Sequence, residues 1–255
     1  MLITLNATQR IWAVPAILGQ AEALCALHGK LAEKLTPGDC LVYLGNYMGY
    51  GDKVVETMDE LLRFRGELSG VQVAHLRGAQ EEMWVKLLEI QWAMRPIETF
   101  QWMMSHGVEA TLRAYGGDTN EASSKFRAGV VVTTRWTTEV RENFQDHPGH
   151  YEFLHGLASA APTSDGTLLF VSAGIDPAKS LEDQNDAFWW NAAGFEAMAA
   201  PFEAFSFVIR GYDAAHNGMQ INPHSVNIDA GNSVDGPLQA TCFDPNGTIL
   251  EHLTI

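Results

Sequence analysis

The sequence is poor in basic side chains and has no long apolar run. Its 255 residues include 16 Lys and Arg against 31 Asp and Glu, which gives a formal net charge of −15. This charge disfavours nucleic acids and anionic membrane surfaces as partners, because both carry dense negative charge themselves. No segment approaches the about 18 apolar residues of a membrane-spanning helix. We therefore expect no nucleic acid and no membrane among the partners of this protein.

Cysteine is also scarce. Cys25, Cys40 and Cys242 lie far apart in the sequence and form no CxxC pair, which favours reduced thiols in a reducing compartment. The N-terminal residues MLITLNATQRIWAV lack the basic stretch and the apolar run of a signal peptide. These features predict three reduced, mostly buried thiols in a soluble, cytoplasmic protein.

Apolar residues are abundant, at 46 % with seven Trp, so the chain can bury a substantial core. No repeat, low-complexity tract or linker divides the sequence, which predicts a single domain over residues 1–255. Apolar strands at 11–14, 41–44 and 71–76 alternate with segments of helical periodicity. This alternation predicts parallel strands joined by crossover helices.

The sequence after residue 165 is richer in strands. Residues 167–172 and 205–210 form two apolar strands on either side of a tryptophan-rich helical segment. Shorter strands follow toward the C-terminus, and the turns AGNSVDG (230–236) and DPNG (244–247) connect them.

The loop that follows the second strand has no reactive side chain. In CLVYLGNYMGYG (40–51) the strand is followed by Asn46, Tyr47, Met48 and Tyr50, without an acid, a base or a cation. In α/β proteins this position commonly carries catalytic or phosphate-binding groups. The glycine-rich loop is therefore present without the chemistry that such loops usually support.

Five loops at strand ends resemble, in order and spacing, the active-site loops of the calcineurin-like metallophosphoesterases, in particular the bacterial serine/threonine protein phosphatases and dinucleoside tetraphosphatases. They are VPAILG (14–19), LGNYMGYG (44–51), LRGAQEEM (76–83), FVSAGI (170–175) and IRGYDAAHNG (209–218). The family has GDxHG, GDxxDRG, RGNHE, HAG and GH at these places.

Two further segments, WMMSHGVEATLRAYGG (102–117) and NIDAG (227–231), resemble family segments outside the active site. The likeness covers roughly residues 10 to 253. It implies an α/β fold, a four-layer sandwich of two mixed β-sheets flanked by helices, with the five loops meeting at one end of the sheets.

Members of this family hold two metal ions with carboxylate, imidazole and amide ligands, and a metal-bound water attacks phosphorus. The resemblance places Ala16 and Leu18 at the aspartate and the histidine of the first motif. Asn46 stands at the metal-bridging aspartate. Ala79 and Gln80 stand at the ligand asparagine and the catalytic histidine.

The remaining positions of the family site have changed as well. Gly49 stands where the family has the aspartate that orients the catalytic histidine, and Tyr50 stands at an arginine that clamps phosphate. Ser172 and Tyr212 stand at the two later histidine ligands. Arg77 occupies a phosphate-binding position of the family and is retained, so it is the candidate anion-binding residue.

Only Arg77 and Glu81 remain from the family motifs, so we expect a pseudoenzyme with no catalytic residues, no metal ligands and no cofactor. Alanine and leucine side chains cannot coordinate a metal, and a neutral amide cannot bridge two dications as a carboxylate does. Such a protein would bind or regulate an unknown partner protein. One alternative is a non-hydrolysing binder of a phosphorylated or nucleotide small molecule, and a second is an enzyme with a rebuilt, unrecognised site.

The vacated cleft is expected to be filled rather than open, because removing ions and charged side chains would leave a hole and unpaired polar groups. Tyrosine rings are expected to occupy much of it. Arg77 is expected to pair with an acid or a backbone carbonyl.

Other groups of residues are weaker candidates. His147, His150 and His155 lack the partnering acid or cysteine set of a metal site. Asp213 and His216 follow the last parallel strand, where a rebuilt site could lie, but a turn capped by Asp213 is the simpler interpretation. Five tryptophans are expected to pack helices rather than to bind a ligand. They are Trp84, Trp92, Trp102, Trp189 and Trp190.

Overall fold

Two five-stranded mixed sheets form the centre of the computed structural model, which describes residues 1–6, 9–231 and 236–255. In the first sheet the strand order is β10-β9-β1-β2-β3. The strands β1, β2 and β3 pair in parallel, as the alternation of strands and helices predicts, and β9 and β10 add antiparallel strands. The bounds are β1 Ile11–Val14, β2 Cys40–Tyr43, β3 Gln72–His75, β9 Gln239–Phe243 and β10 Ile249–Thr254.

The second sheet has the order β4-β5-β6-β8-β7. Its three central strands β5, β6 and β8 are parallel, and the two-residue strands β4 and β7 are antiparallel edges. The bounds are β4 Ala161–Pro162, β5 Leu168–Val171, β6 Phe207–Arg210, β7 Gln220–Ile221 and β8 Ser225–Asn227. The turn predicted at 230–236 includes residues 232–235, which lie outside the described residues.

Helices cover the outer face of each sheet. Alternate strand residues such as Trp12 and Leu41 pack against helices with buried leucines, whereas Ile11 and Val42 belong to the core between the sheets. Rings from the two sheets meet in that inner core, with Phe170 and Phe243 5.9 Å apart between centroids. The layers are therefore helix, sheet, sheet and helix, which confirms the predicted four-layer α/β sandwich.

The described helices are short to medium in length. They are α1 Ala21–Lys34, α2 Val54–Glu67, α3 Ala79–Leu87, α4 Pro96–Met103, α5 Glu109–Ala114, α6 Thr119–Arg127, α7 Val130–Gln145, α8 His150–His155, α9 Ala187–Trp190 and α10 Ala192–Glu196. A π-helical segment, Met104–Val108, joins α4 to α5, and Gly107 in it has φ +95°. In residues 1–6, 9–231 and 236–255 no helix is both long and apolar enough to span a membrane.

The tryptophan prediction is wrong for Trp92 and holds only in part for Trp102 and Trp190. Trp84 and Trp189 are buried, as helix packing requires. Trp92, Trp102 and Trp190 are 76 %, 45 % and 43 % exposed. Trp102 and Trp190 contact each other across two helices, with ring centroids 5.9 Å apart, because each lies on the solvent side of its helix.

The three cysteines form no disulfide among the described residues, and the histidines of α8 make hydrogen bonds within the fold. All three cysteines are free, with Cys25 exposed and the other two buried. His150 is fully buried and bonds to the Tyr115 hydroxyl at 2.9 Å and to an Asp59 carboxylate oxygen at 3.0 Å. His155 bonds to the Tyr151 carbonyl. These contacts assign the histidines around α8 to packing and hydrogen bonding.

Candidate functional site

Hydrogen bonds bring the first two of the five loops together at the carboxyl ends of β1 and β2. The N–H groups of Ile17 and Leu18 both donate to the Asn46 carbonyl, at 3.0 and 2.9 Å, and Gly19 N–H donates to the Tyr47 carbonyl at 2.8 Å. The loops 14–19 and 44–51 therefore form one backbone unit.

The second sheet joins the same unit through residue 211. Ala16 N–H donates to the Gly211 carbonyl at 3.0 Å, while Gly211 and Tyr212 N–H groups donate to the Ser172 carbonyl at 3.0 and 2.9 Å. A Cβ added to Gly211 would lie 2.4 Å from the Leu44 Cβ, so only glycine fits between the loops. As predicted, loops from both sheets meet at one end of the sandwich.

The retained acid Glu81 holds the second loop in shape. Its carboxylate is fully buried in the first turn of α3 and accepts four backbone N–H groups. The donors are Asn46, Tyr47 and Gly78 at 2.8 Å and Met48 at 3.3 Å. Burial raises the pKa of this carboxyl, against the opposing effect of the four amide donors.

The loop 44–51, which Glu81 holds in place, has an unfavourable backbone conformation. Asn46 and Tyr50 have φ values of +55° and +54°, in the left-handed region that non-glycine residues rarely adopt. Gly45 at φ +86° leaves no room for a side chain, because a Cβ would lie 2.6 Å from the Gly78 nitrogen. The hydrogen bonds from backbone N–H groups to Glu81 therefore offset the backbone strain of this loop.

Most of the positions that the resemblance aligns with metal ligands or the catalytic histidine are closed to solvent. Leu18, Asn46, Ala79, Gln80 and Ser172 are between 0 % and 7 % exposed. The first two belong to the loops after β1 and β2, the next two begin α3, and Ser172 follows β5. These side chains are therefore buried, as the predicted filling of the cleft requires.

Gln80, at the position of the catalytic histidine, fills space beside the second loop. Its side-chain N–H donates to the His106 carbonyl at 2.8 Å, and its backbone N–H donates to Asn46 Oδ1 at 3.0 Å. A Cβ added to Gly49 would meet the Gln80 amide. Gln80 therefore occupies the volume that an aspartate at residue 49 would need.

Two tyrosines meet at the outer edge of the site. The side chains of Tyr50 and Tyr212 lie beside each other, although they come from loops of different sheets. The Tyr50 ring packs on Gly107, where a Cβ would lie 2.6 Å from the ring, and Tyr50 N–H donates to the Gly107 carbonyl at 3.0 Å. Burial, and then the neighbouring Tyr50, raises the pKa of Tyr212 far above its ordinary value.

The segment 104–111 is a part of the site that the strand-end motifs missed. Gly107 supports Tyr50, His106 accepts from Gln80, and Thr111 Oγ1 accepts the Gly49 N–H at 3.0 Å. The likeness of residues 102–117 to a family segment was the available signal. In this structure the segment, interrupted by the non-helical backbone of His106 and Gly107, contacts the second and third loops at Gly49 and Gln80.

The side chains at the ligand positions do not fit a dinuclear metal centre. Ala16, Leu18 and Ala79 have no ligand atom, and the Asn46 side-chain oxygen already accepts the Gln80 N–H. Hard dications need several charged oxygen or imidazole ligands to offset the loss of their hydration. Across residues 1–6, 9–231 and 236–255, no three His, Cys, Asp or Glu side chains lie together as a metal group.

Three buried polar atoms of the site have no hydrogen-bond partner among the described residues. They are Asn46 Nδ2, Gln80 Oε1 and Ser172 Oγ. Each such atom costs roughly 1–3 kcal/mol of stability when nothing satisfies it. The meeting point of the loops thus contains polar atoms that the described residues do not pair.

Arg77 is engaged, which confirms its predicted pairing. Its Nη1 bonds to a Glu82 carboxylate oxygen at 2.9 Å and its Nη2 to the Leu154 carbonyl at 3.4 Å. Glu82 is 8 % exposed, so the pair is largely withdrawn from water. The guanidinium is therefore paired with a carboxylate that the Lys86 ammonium also approaches, at 3.6 Å.

Asp213 caps a turn, as the simpler interpretation predicts. It accepts N–H groups from Ala215 and Asn217 at 3.0 and 3.3 Å, and the Asn217 amide at 2.9 Å. It also lies 3.4 Å from the buried Arg210 guanidinium, which packs over the Phe195 ring. The short loop around His216 is built by these contacts.

No protein-family model and no curated protein matches the sequence. Solved structures do match along nearly the whole chain. A candidate diadenosine tetraphosphatase has a TM-score of 0.58 at 17 % identity, covering 99 % of this chain and 97 % of its own. A protein serine/threonine phosphatase from Saccharomyces cerevisiae has a TM-score of 0.54 at 12 % identity, covering 96 % and 76 %.

A cold-active protein tyrosine phosphatase from a psychrophilic Shewanella also matches, with a TM-score of 0.53 at 11 % identity, covering 99 % of this chain and 81 % of its own. Identities this low establish the fold alone. The chain has the calcineurin-like metallophosphoesterase fold, and the part that the structure describes shows no group of metal-ligating side chains.

Proposed function

We propose that this protein is a catalytically silent phosphoesterase-fold protein that acts by binding a partner protein. The proposal rests on the identity of the side chains where the five loops meet. Where hydrolysis would need ligands and a proton donor, the chain has Ala16, Leu18 and Ala79, and Gln80 closes the space beside them. The loops keep their backbone through Glu81, which serves structure and not chemistry.

The electrostatics of the site support binding over hydrolysis. A water nucleophile needs a metal or a base to lose its proton, and the buried polar atoms of the site that lack a partner among the described residues belong to two amides and a hydroxyl. These groups are neutral at every physiological pH. The negative net charge supports a protein partner over a nucleic acid.

The experiment is a metal and activity measurement on the purified full chain. After incubation with Mn²⁺, Fe²⁺ or Zn²⁺ and desalting, elemental analysis should find well under about one ion per chain. Hydrolysis of p-nitrophenyl phosphate, a phosphopeptide and a dinucleoside tetraphosphate should not exceed the buffer rate. Two tightly held ions, or turnover that depends on Mn²⁺, would overturn the proposal.

A double variant, His147→Ala with His155→Ala, serves as the control for metal held by surface histidines. Any sub-stoichiometric metal that disappears in this variant belongs to the surface and not to the loops. The variant keeps the buried His150, which the fold needs for its bonds to Tyr115 and Asp59.

A restoration variant tests the same idea from the opposite side. Ala16→Asp, Leu18→His, Asn46→Asp and Gln80→His together should still give no phosphatase activity. Four changes leave alanine at residue 79, and new buried carboxylates without a metal destabilise the fold by several kcal/mol. Activity in this variant would show that the remaining site is more complete than proposed.

Binding of a phosphorylated or nucleotide small molecule is a second proposal for the same site, and Arg77 is its anion-binding residue. The pairing of Arg77 with Glu82 weakens it, because an anion must displace that carboxylate. Calorimetry with phosphate and nucleotides decides between the two. Saturable binding that is lost in Arg77→Met would favour the small-molecule function.

A further inference from the structure

A groove of about 420 Å³ lies outside the five loops, beside the edge strand β4. The N-terminal residues form one wall, because Leu2 bridges to Ala160 and Ile3 N–H donates to its carbonyl at 3.1 Å. The segment 181–189 forms the other wall. The walls are apolar at their centre, with Leu2, Leu181, Phe188 and Trp189.

One wall of the groove has an unmet hydrogen-bond donor. Trp189 is 8 % exposed, and its indole N–H has no partner among the described residues. Buried indole N–H groups usually find an acceptor.

Two acids of the same groove carry unbalanced charge. Glu182 and Asp186 line it, and both are exposed. The lysine of this segment, Lys179, is paired with Asp176 at 3.4 Å, and the Met1 ammonium bonds to the Ser159 hydroxyl. In the part of the chain that the structure describes, no Lys, Arg or His pairs with either acid. The Met1 ammonium also lines the groove and keeps its charge. One positive charge therefore stands against two carboxylates, and the net negative charge favours a cationic occupant.

An exposed aromatic pair begins one helical turn after the groove residue Asp186. Trp190 follows Asp186 by one helical turn, since its N–H donates to the Asp186 carbonyl at 3.1 Å. Its ring contacts Trp102, and both rings are more than two-fifths exposed. Exposed indole faces attract Arg and Lys side chains, and Trp is prominent among the residues that dominate protein interfaces.

We propose that the groove and the Trp102–Trp190 pair together bind a basic segment of a partner protein. An apolar side chain of that segment enters the groove, its Arg or Lys side chains meet Glu182 and Asp186, and a neighbouring cation stacks on the indoles. This site goes beyond the proposed function, because it lies outside the loops and would serve whether or not the loops hydrolyse anything.

The test uses a synthetic peptide, acetyl-Arg-Leu-Lys-Leu-Arg-amide, titrated into the full chain and followed by calorimetry and tryptophan fluorescence. The same peptide with glutamate at the three basic positions is the charge control. We expect saturable binding of the basic peptide only, with affinity that falls as salt rises from about 0.05 to 0.5 M. No binding of the basic peptide, or equal binding of both peptides, would overturn the proposal.

The protein variants locate the site. Glu182→Gln with Asp186→Asn should weaken binding by about tenfold or more. Glu139→Gln with Glu142→Gln removes two exposed charges from α7 and should leave the affinity unchanged. Trp190→Ala should also weaken peptide binding, and this variant is a second test of the same surface. Wild-type affinity in the first variant would place the peptide elsewhere and refute the assignment.

Discussion

Four backbone N–H groups donate hydrogen bonds to the buried Glu81 carboxylate. The variant Glu81→Gln tests how much these hydrogen bonds stabilise the fold. One carboxylate oxygen accepts from Tyr47 and Met48 and the other from Asn46 and Gly78. Glutamine keeps one oxygen and places an NH₂ group at the other. Two buried N–H groups then face a donor, and each loses its acceptor at a cost of roughly 1–3 kcal/mol.

Removal of a buried charge offsets part of that cost, because the neutral amide has less hydration to lose. We therefore expect Glu81→Gln to lower the free energy of unfolding by about 3 kcal/mol. Urea unfolding followed by tryptophan fluorescence measures this value directly.

The matched control is Glu56→Gln, which makes the same chemical change on an exposed position of α2. It should stay within about 0.5 kcal/mol of the wild type. A loss below about 1 kcal/mol in Glu81→Gln would refute the idea that this carboxylate holds the loop.

Three further outcomes follow from the same contacts. Ser172→Ala removes a buried hydroxyl without a partner and should stabilise the protein by about 1 kcal/mol in thermal unfolding; a clear loss would mean that the hydroxyl has a bound partner. Gly107→Ala brings a methyl group against the Tyr50 ring at φ +95° and should cost about 1–3 kcal/mol; a double-mutant cycle with Tyr50→Ala should recover part of it, and full additivity would contradict the contact. Burial lowers the pKa of His28 to about 4 and of His75 to about 3. Below pH 6.5 the unfolded chain therefore binds protons that the folded protein does not. The free energy of unfolding should fall by about 2–3 kcal/mol per histidine between about pH 6.5 and 4.5. His75→Phe should remove its share of that slope in urea unfolding at the two pH values, and an unchanged slope would contradict the burial effect.

The sequence by itself determined the layers of this protein and the order of its loops. Residues 11–14 and 41–44 are short apolar strands between helical segments, and that local alternation specifies parallel strands with crossover helices. Because parallel strands end at the same edge, the positions of Ala16, Asn46 and Gln80 near one another follow from the order of the elements.

The loss of metal ligands could also be read from residue types alone. An alanine or a leucine has no ligand atom in any fold, so this part of the interpretation needs no coordinates.

Only the tertiary structure decided which side chains contact one another where the loops meet. Tyr50 and Tyr212 come from different sheets, and no local pattern indicates that their side chains lie beside each other. The role of Glu81 depends on amides that come from two separate segments. Trp102 and Trp190 lie on the solvent side of their helices, which composition cannot reveal. The reason is physical: periodicity along the chain fixes which elements form and how they stack, whereas the partner of each side chain is set by elements that are distant in sequence and close only after folding.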